Sequence, residues 1–154
     1  MKADDAVRSE TPRKGLKRSA GAVVVHPDHA RVLLRRPMPN PGYDDLEWTH
    51  AKGRLDGETP EVAALRECCE ELGVTGTIVA EIAGWFEGST TANKYFVVQW
   101  TAEAGPFDGE TAEVRWATWA EAVELIRRGR NKRSVARDLA VLEEARRAVP
   151  DTGS

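Results

Sequence analysis

Apolar and polar positions follow two rhythms along this chain. Short apolar or alternating runs bounded by turn residues mark strands at Ser19 to His26, Arg31 to Arg35, about 76 to 86, 94 to 102 and 113 to 117. The first two flank the turn cluster Pro27-Asp28-His29-Ala30, which predicts a hairpin. In Lys94 to Trp100 nearly every position is bulky and apolar, as in a strand buried on both faces. A helical period appears at Pro60 to Leu72, at about 119 to 128 through Ala122, Leu125 and Ile126, and at about 134 to 147 through Val135, Leu139 and Leu142. Pro37, Pro39, Pro41 and Gly42 break regular structure and predict a surface loop over 37 to 45, followed by a short strand at Glu47 to His50 leading to Lys52-Gly53. Residues 1 to 18 lack any period and read as a flexible N-terminal arm, 19 to 149 as a single domain, and 150 to 154 as a flexible tail.

The helix at Pro60 to Leu72 has physical reasons at both ends. Thr59 suits the N-cap, Pro60 the first helical position and Glu61 the positive end of the helix dipole. Gly73 stands where a left-handed cap is favoured. At roughly 100° per residue, Glu67, Glu70 and Glu71 share one narrow sector, and Val62, Leu65, Cys69 and Leu72 fall opposite. Carboxylates one turn apart repel unless a cation lies between them, so the projection predicts a core face and a metal face. An all-oxygen set suits a hard divalent cation, Mg²⁺ with Mn²⁺ as the alternative, completed by water and substrate phosphate. No His or Cys set with zinc spacing accompanies it. A cation of that kind offsets phosphate charge and acidifies an attacking water, which is the chemistry of phosphoanhydride hydrolysis.

Composition narrows the setting. At 154 residues, with 31% charged and 41% hydrophobic positions, the chain has the balance of one globular domain. Its longest apolar run, Ala20 to Val25, is far below the ~20 residues of a membrane span, so no membrane partner is expected. A net charge of -3 supplies no global field for nucleic acid. Acids at Asp4, Asp5 and Glu10, without an apolar segment, lead to a cytoplasmic expectation. The adjacent Cys68 and Cys69 diverge too far for an ordinary disulfide, and Cys69 is expected as a small core hydrophobe.

Gly53, then Glu58, then Arg66-Glu67-Cys68-Cys69-Glu70-Glu71-Leu72-Gly73-Val74 resembles the motif of the Nudix hydrolases. Ser19 to Val24 resembles that family's first strand, and Val114-Arg115-Trp116 its late strand before a helix. Two departures stand out. Four residues, Arg54 to Gly57, separate the first glycine from the first glutamate where the family has five, and Ala51 replaces the usual proline. The resemblance implies an α/β fold, the α/β/α Nudix sandwich with a mixed sheet. It implies metal binding by Glu67, Glu70, Glu71 and the carbonyl of Gly53, with Glu67 also a general base. Glu58 and Arg66 would brace the catalytic loop, and an arginine beside Glu67 can itself orient carboxylates through bidentate hydrogen bonds. Glu113 is a further candidate ligand or base, with Glu110 in competition.

Arg35, Arg36, Lys52 and Arg54 lie on elements expected near the metal loop and are candidates to neutralise phosphates. The basic run from Arg127 to Arg133 reads as solvated helix ends before a polyphosphate clamp. Tyr43-Asp44-Asp45 with Trp48, and the run 137 to 142, resemble the branch handling dinucleoside polyphosphates, diphosphoinositol polyphosphates and some oxidised nucleotides, with Tyr43 or Trp48 available to stack on a base. The expected function is therefore a metal-dependent pyrophosphohydrolase of small nucleotide or polyphosphate substrates, dinucleoside polyphosphates first. The alternatives are a nucleoside triphosphate-sanitising or ADP-ribose hydrolase and, in another class, a non-catalytic nucleotide or RNA binding module.

Overall fold

A computed structural model describes residues 8–39, 47–88 and 90–150. Its axis is β2 (Lys17–Val25), whose small and β-branched residues pack on both sides of the sheet. Along one edge β2 runs parallel to β7 (Thr91–Glu103), from Lys17↔Thr91 to Val25↔Gln99. Its other edge is shared. β4 (Ala51–Arg54) pairs antiparallel with Ser19 to Ala22, and β3 (Arg31–Pro37) pairs only at Val24↔Leu33 and Val25↔Val32. The predicted hairpin exists, but it splays after two pairs because β4 enters between its arms. β8 (Thr111–Thr118) covers the far edge of β3. Beyond β7 lie β5 (Val74–Glu81) and β6 (Trp85–Glu87), and β1 (Arg8–Ser9) closes that edge against β6.

Alternation along β2 sends side chains to two separate cores. Ala20, Ala22 and Val24 meet α1 (Pro60–Glu67) and the π-helical turn Cys68–Leu72 that continues it, through Ala63, Ala64, Cys68 and Leu72. Val23 and Val25 join Tyr95, Val97 and Phe86 under α2 (Trp119–Arg127) and α3 (Lys132–Ala148). The result is the expected α/β/α sandwich on a mixed sheet. α2 starts at a capping box between Thr118 and Glu121, and α3 at an Asn131 cap that accepts from the Ser134 N–H. Among the described residues no helix is long and apolar enough to cross a membrane.

Three elements differ from the sequence reading. The strand expected over 76 to 86 breaks at Gly84, whose φ of 84° lets the chain turn between β5 and β6. The strand expected at Glu47 to His50 forms later, as β4, while Thr49 makes an isolated bridge to Arg35. Residues 8 to 18 are not an unattached arm. Arg8–Ser9 pair with β6, Arg13 Nε lies 2.7 Å from Glu87 Oε1, and β2 already begins at Lys17.

Candidate active site

The acidic helix is built as its ends suggest. Thr59 Oγ1 accepts from the Val62 N–H, Pro60 opens α1, and Gly73 closes the π turn with φ of 69°. What the α-helical projection misses is the position of the core. Val62 is 51% exposed and Cys69 is exposed, whereas Ala63, Ala64, Cys68 and Leu72 are buried. Glu67 and Glu71 are themselves buried, at 6% and 4% exposure. The core sector adjoins the carboxylates instead of opposing them, and the wider step of the π turn carries Cys68, not Cys69, inward. Cys68 behaves as a small hydrophobe, its thiol pushed up to about 12 by burial first and by the Glu67 and Glu71 charges next. Both cysteines are free.

Two alanines at 63 and 64 and a glycine at 53 allow this close seating. A Cβ on Gly53 would collide with the Glu67 carboxylate, so only glycine lets β4 pass beside it. The short loop after Gly53 closes on itself. Asp56 and Gly57 both have positive φ, and the Glu58 N–H donates to the Leu55 carbonyl at 2.9 Å, the backbone pattern of a tight primed turn. Arg66 then ties loop to helix. Its Nε donates to Glu58 Oε1 at 2.7 Å, Nη1 to Glu67 Oε1 at 2.7 Å and Glu70 Oε2 at 3.1 Å, and Nη2 to the Arg54 carbonyl at 2.8 Å. These charge-assisted bonds raise the Arg66 pKa, Glu58 being the largest cause, so it stays a cation.

Burial governs the electrostatics of the two inner glutamates. It pushes the Glu71 carboxyl up to about 7, against the opposing pull of Arg35 and the Lys52 N–H. Those partners are close: Lys52 N donates to Glu71 Oε1 at 2.9 Å, and Arg35 Nη1 lies 3.6 Å from Oε2. Glu67 is raised as well, by burial first and by Glu70 and Glu110 in part, with Arg66 pulling the other way. Glu70 sits at the rim with its side chain 46% exposed.

Two desolvated carboxylates and a third at the rim make an all-oxygen set that fits a hard divalent cation, whose charge would relieve the ionisation cost. The set is not pre-assembled. Among the described residues no three acidic, His or Cys side chains converge as a ready cage. Arg66 and the Lys52 N–H hold oxygens that a cation would have to take.

The late acids separate by face of the sheet. Arg35 pairs with Val114 on the α1 face and reaches Glu71, so the neighbouring pair Arg36↔Glu113 points to the opposite face. There Arg36 Nη2 and Glu113 Oε1 bond at 3.2 Å. Glu113 is thus turned away from the glutamates, and Arg36 with it. Glu110 and Asp108 lie nearer. The Asp108 N–H donates to the Glu70 carbonyl at 2.6 Å, the Glu110 carbonyl accepts from Arg35 Nη2 at 2.8 Å, and the Asp108 charge acts on Glu71. Asp108 was not singled out from sequence, although the turn Pro106-Phe107-Asp108-Gly109 was a legible marker of a loop tip.

The other predicted residues scatter. By alternation Lys52 and Arg54 face away from Gly53, toward the α2–α3 side. The Arg127 to Arg133 segment joins α2 to α3 in that same layer, with Arg127 on Glu124 and Arg133 on the Glu87 carbonyl. Trp48, 5% exposed, is part of the core beneath α2 and α3, which removes it as a stacking platform. Tyr43, Asp44 and Asp45 lie outside the described residues.

Known proteins match this picture. The family model of the NUDIX domain matches residues 15–139. An RNA pyrophosphohydrolase from Caulobacter vibrioides is 33% identical over 132 residues, covering 70% of this chain and 75% of that protein. A NUDIX hydrolase from Nitrosomonas europaea superposes with a TM-score of 0.65 at 17% identity, over 90% of this chain and 99% of that one. The solution structure of the Escherichia coli ORF135 protein gives 0.57 at 20% identity, over 87% and 92%. These two likenesses show the fold. With the family match spanning the sheet, the acidic helix and its loop, this chain belongs to the Nudix hydrolase family.

Proposed function

We propose that the protein is a Mg²⁺-dependent pyrophosphohydrolase of nucleoside diphosphates linked to another moiety, with dinucleoside polyphosphates as its preferred substrates. The observation that carries the reading is the pair Glu67 and Glu71, buried beside Gly53 and both held above the ordinary carboxylate range by desolvation. Glu67, Glu70, Glu71 and the Gly53 carbonyl would hold the cation, with Glu110 and Asp108 as the nearby acids of the late loop. When bound, it supplies charge to offset the phosphates and to acidify an attacking water. Arg66 keeps the loop and two of the glutamates in register, and Glu67 is the residue assigned to take the proton from water.

The test is hydrolysis of diadenosine tetraphosphate with Mg²⁺ by the wild type and by Glu70→Gln and Glu71→Gln. Wild-type rates in both variants would remove the assigned ligands. A second reading, the 5′-triphosphate end of RNA, is favoured by similarity to the Caulobacter RNA pyrophosphohydrolase. It presents the same nucleoside-linked phosphoanhydride on a larger leaving partner. Side-by-side kcat/KM values for diadenosine tetraphosphate, a 5′-triphosphorylated RNA, 8-oxo-dGTP and ADP-ribose rank these substrates.

A further inference from the structure

On the far side of the sheet from the acidic helix, α3 carries a carboxylate that no feature of the acidic motif requires. Asp138 has no exposed surface. Its Oδ2 accepts from Thr49 Oγ1 at 2.6 Å and its Oδ1 from Arg137 Nε at 3.0 Å. Its main-chain carbonyl accepts from His50 Nε2 at 3.1 Å. Two of these three bonds therefore come from the dipeptide Thr49-His50, which immediately precedes β4.

From that dipeptide two short paths reach the glutamates. In the first, Thr49 and Arg35 exchange backbone bonds of 2.9 and 3.0 Å, and the Arg35 guanidinium reaches Glu71 Oε2 at 3.6 Å while also donating to Thr111 Oγ1 at 2.8 Å. In the second, the chain runs from His50 through Ala51 to Lys52, whose N–H donates to Glu71 Oε1, and to Gly53, against which Glu67 packs. Both oxygens of Glu71 thus meet groups that adjoin the Thr49-His50 segment, the Lys52 N–H through the chain and Arg35 through the backbone bridge. Among the described residues the backbone bonds of that segment, which immediately precedes β4, are the pair it exchanges with Arg35 across an isolated bridge. A segment so weakly tied by main chain depends on side-chain bonds for its place.

We infer that Asp138 and Thr49 form a positioning latch, through which α3 sets the location of Lys52 N–H, Gly53 and Arg35, and hence of Glu71, from the opposite face of the sheet. Neither residue touches the reacting atoms. Their contribution is to hold the oxygen set where a cation and a phosphate can use it, which is the role of outer partners at a metal site.

The inference rests on the acidic helix as the metal and reaction site, and the experiment separates the two ideas. Thr49→Val keeps the branched shape and removes the hydroxyl donor, while Thr49→Ser keeps the donor. Two readouts are taken: Mn²⁺ affinity by electron paramagnetic resonance titration, and steady-state hydrolysis of diadenosine tetraphosphate with Mg²⁺. Near-ultraviolet circular dichroism establishes that each variant is folded. For Thr49→Val the expected result is Mn²⁺ affinity weaker by about 10-fold and kcat lower by about 10-fold, with KM changed less than about twofold. Thr49→Ser should return both toward wild type, and Asp138→Asn should reproduce the direction of Thr49→Val. A folded Thr49→Val protein with wild-type Mn²⁺ affinity overturns the latch, as does a Thr49→Ser protein no better than Thr49→Val. Should the wild type hydrolyse none of the substrates, the proposed function falls while the Mn²⁺ comparison still decides the latch.

Discussion

Glu71 and Asp138 are both buried carboxylates, at 4% and 0% exposure, and burial ends in opposite results for the two. At Asp138 desolvation works to raise the pKa, but Arg137, His50 and Thr49 outweigh it, and the carboxyl titrates below its usual range. At Glu71 the opposing groups are Arg35 at 3.6 Å and one backbone N–H, and desolvation wins, aided by Glu67 and Asp108. The difference lies in how close the charged donor stands: Arg137 Nε is 3.0 Å from Asp138 Oδ1, whereas Arg35 Nη1 is 3.6 Å from Glu71 Oε2. A buried anion with its donors in place belongs to the scaffold. One left short of positive charge beside two other carboxylates is poised for a cation that the chain itself does not supply.

The largest effect that could break this contrast is on activity. Glu71→Gln should lower kcat for diadenosine tetraphosphate with Mg²⁺ by at least about 100-fold, the upper end of losses seen for outer partners of metal ligands. Next in size, Asp138→Ala should destabilise the protein by about 3–5 kcal/mol in urea unfolding, because it removes a buried anion that faces Arg137 and Thr49.

The third prediction turns the sign around. The folded pKa of Glu71, about 7, lies above its ordinary 4.5, so its contribution to stability is fully present below pH 4.5 and is lost as pH rises through 7. At about 1.4 kcal/mol per pKa unit, that loss is roughly 3 kcal/mol. Metal-free protein should therefore lose stability between pH 4.5 and 7, Glu71→Gln should flatten that decline, and at pH 8 it should be more stable than wild type. Asp138 contributes the reverse: its stabilisation is present above its ordinary 3.8 and is lost only as pH falls through its lower folded value. A Glu71→Gln protein that is inactive and also less stable at pH 8 would erase the distinction between the two sites. The smallest effect is expected at Glu113→Gln, an exposed carboxylate on the opposite face, with stability within about 0.5 kcal/mol and kcat unchanged.

Much of this was legible because it is local. The caps at Thr59 and Gly73 act through hydrogen bonds spanning a few residues, and the strands and helices show in short-range periodicity. The acid-rich turn at 67 to 71 and the arginine beside it are neighbours in the chain, so their convergence needed only a helix.

What the linear pattern could not decide depends on partners far away in the chain. Whether Cys68 or Cys69 faces inward turns on a π-helical step and on the sheet beneath, since Ala63, Ala64 and Gly53 let the carboxylates be buried with the core. Whether Glu113 joins the site turns on the register of β8 against β3, where a shift of one residue exchanges the faces. The distances Thr49 to Asp138 and Arg35 to Thr111 span 89 and 76 residues of sequence, and no periodicity encodes them. The acidic motif thus determined which atoms are available to a cation. Tertiary packing decided which of them are desolvated, which are already held, and which face away, because those properties belong to the space between elements and not to any one of them.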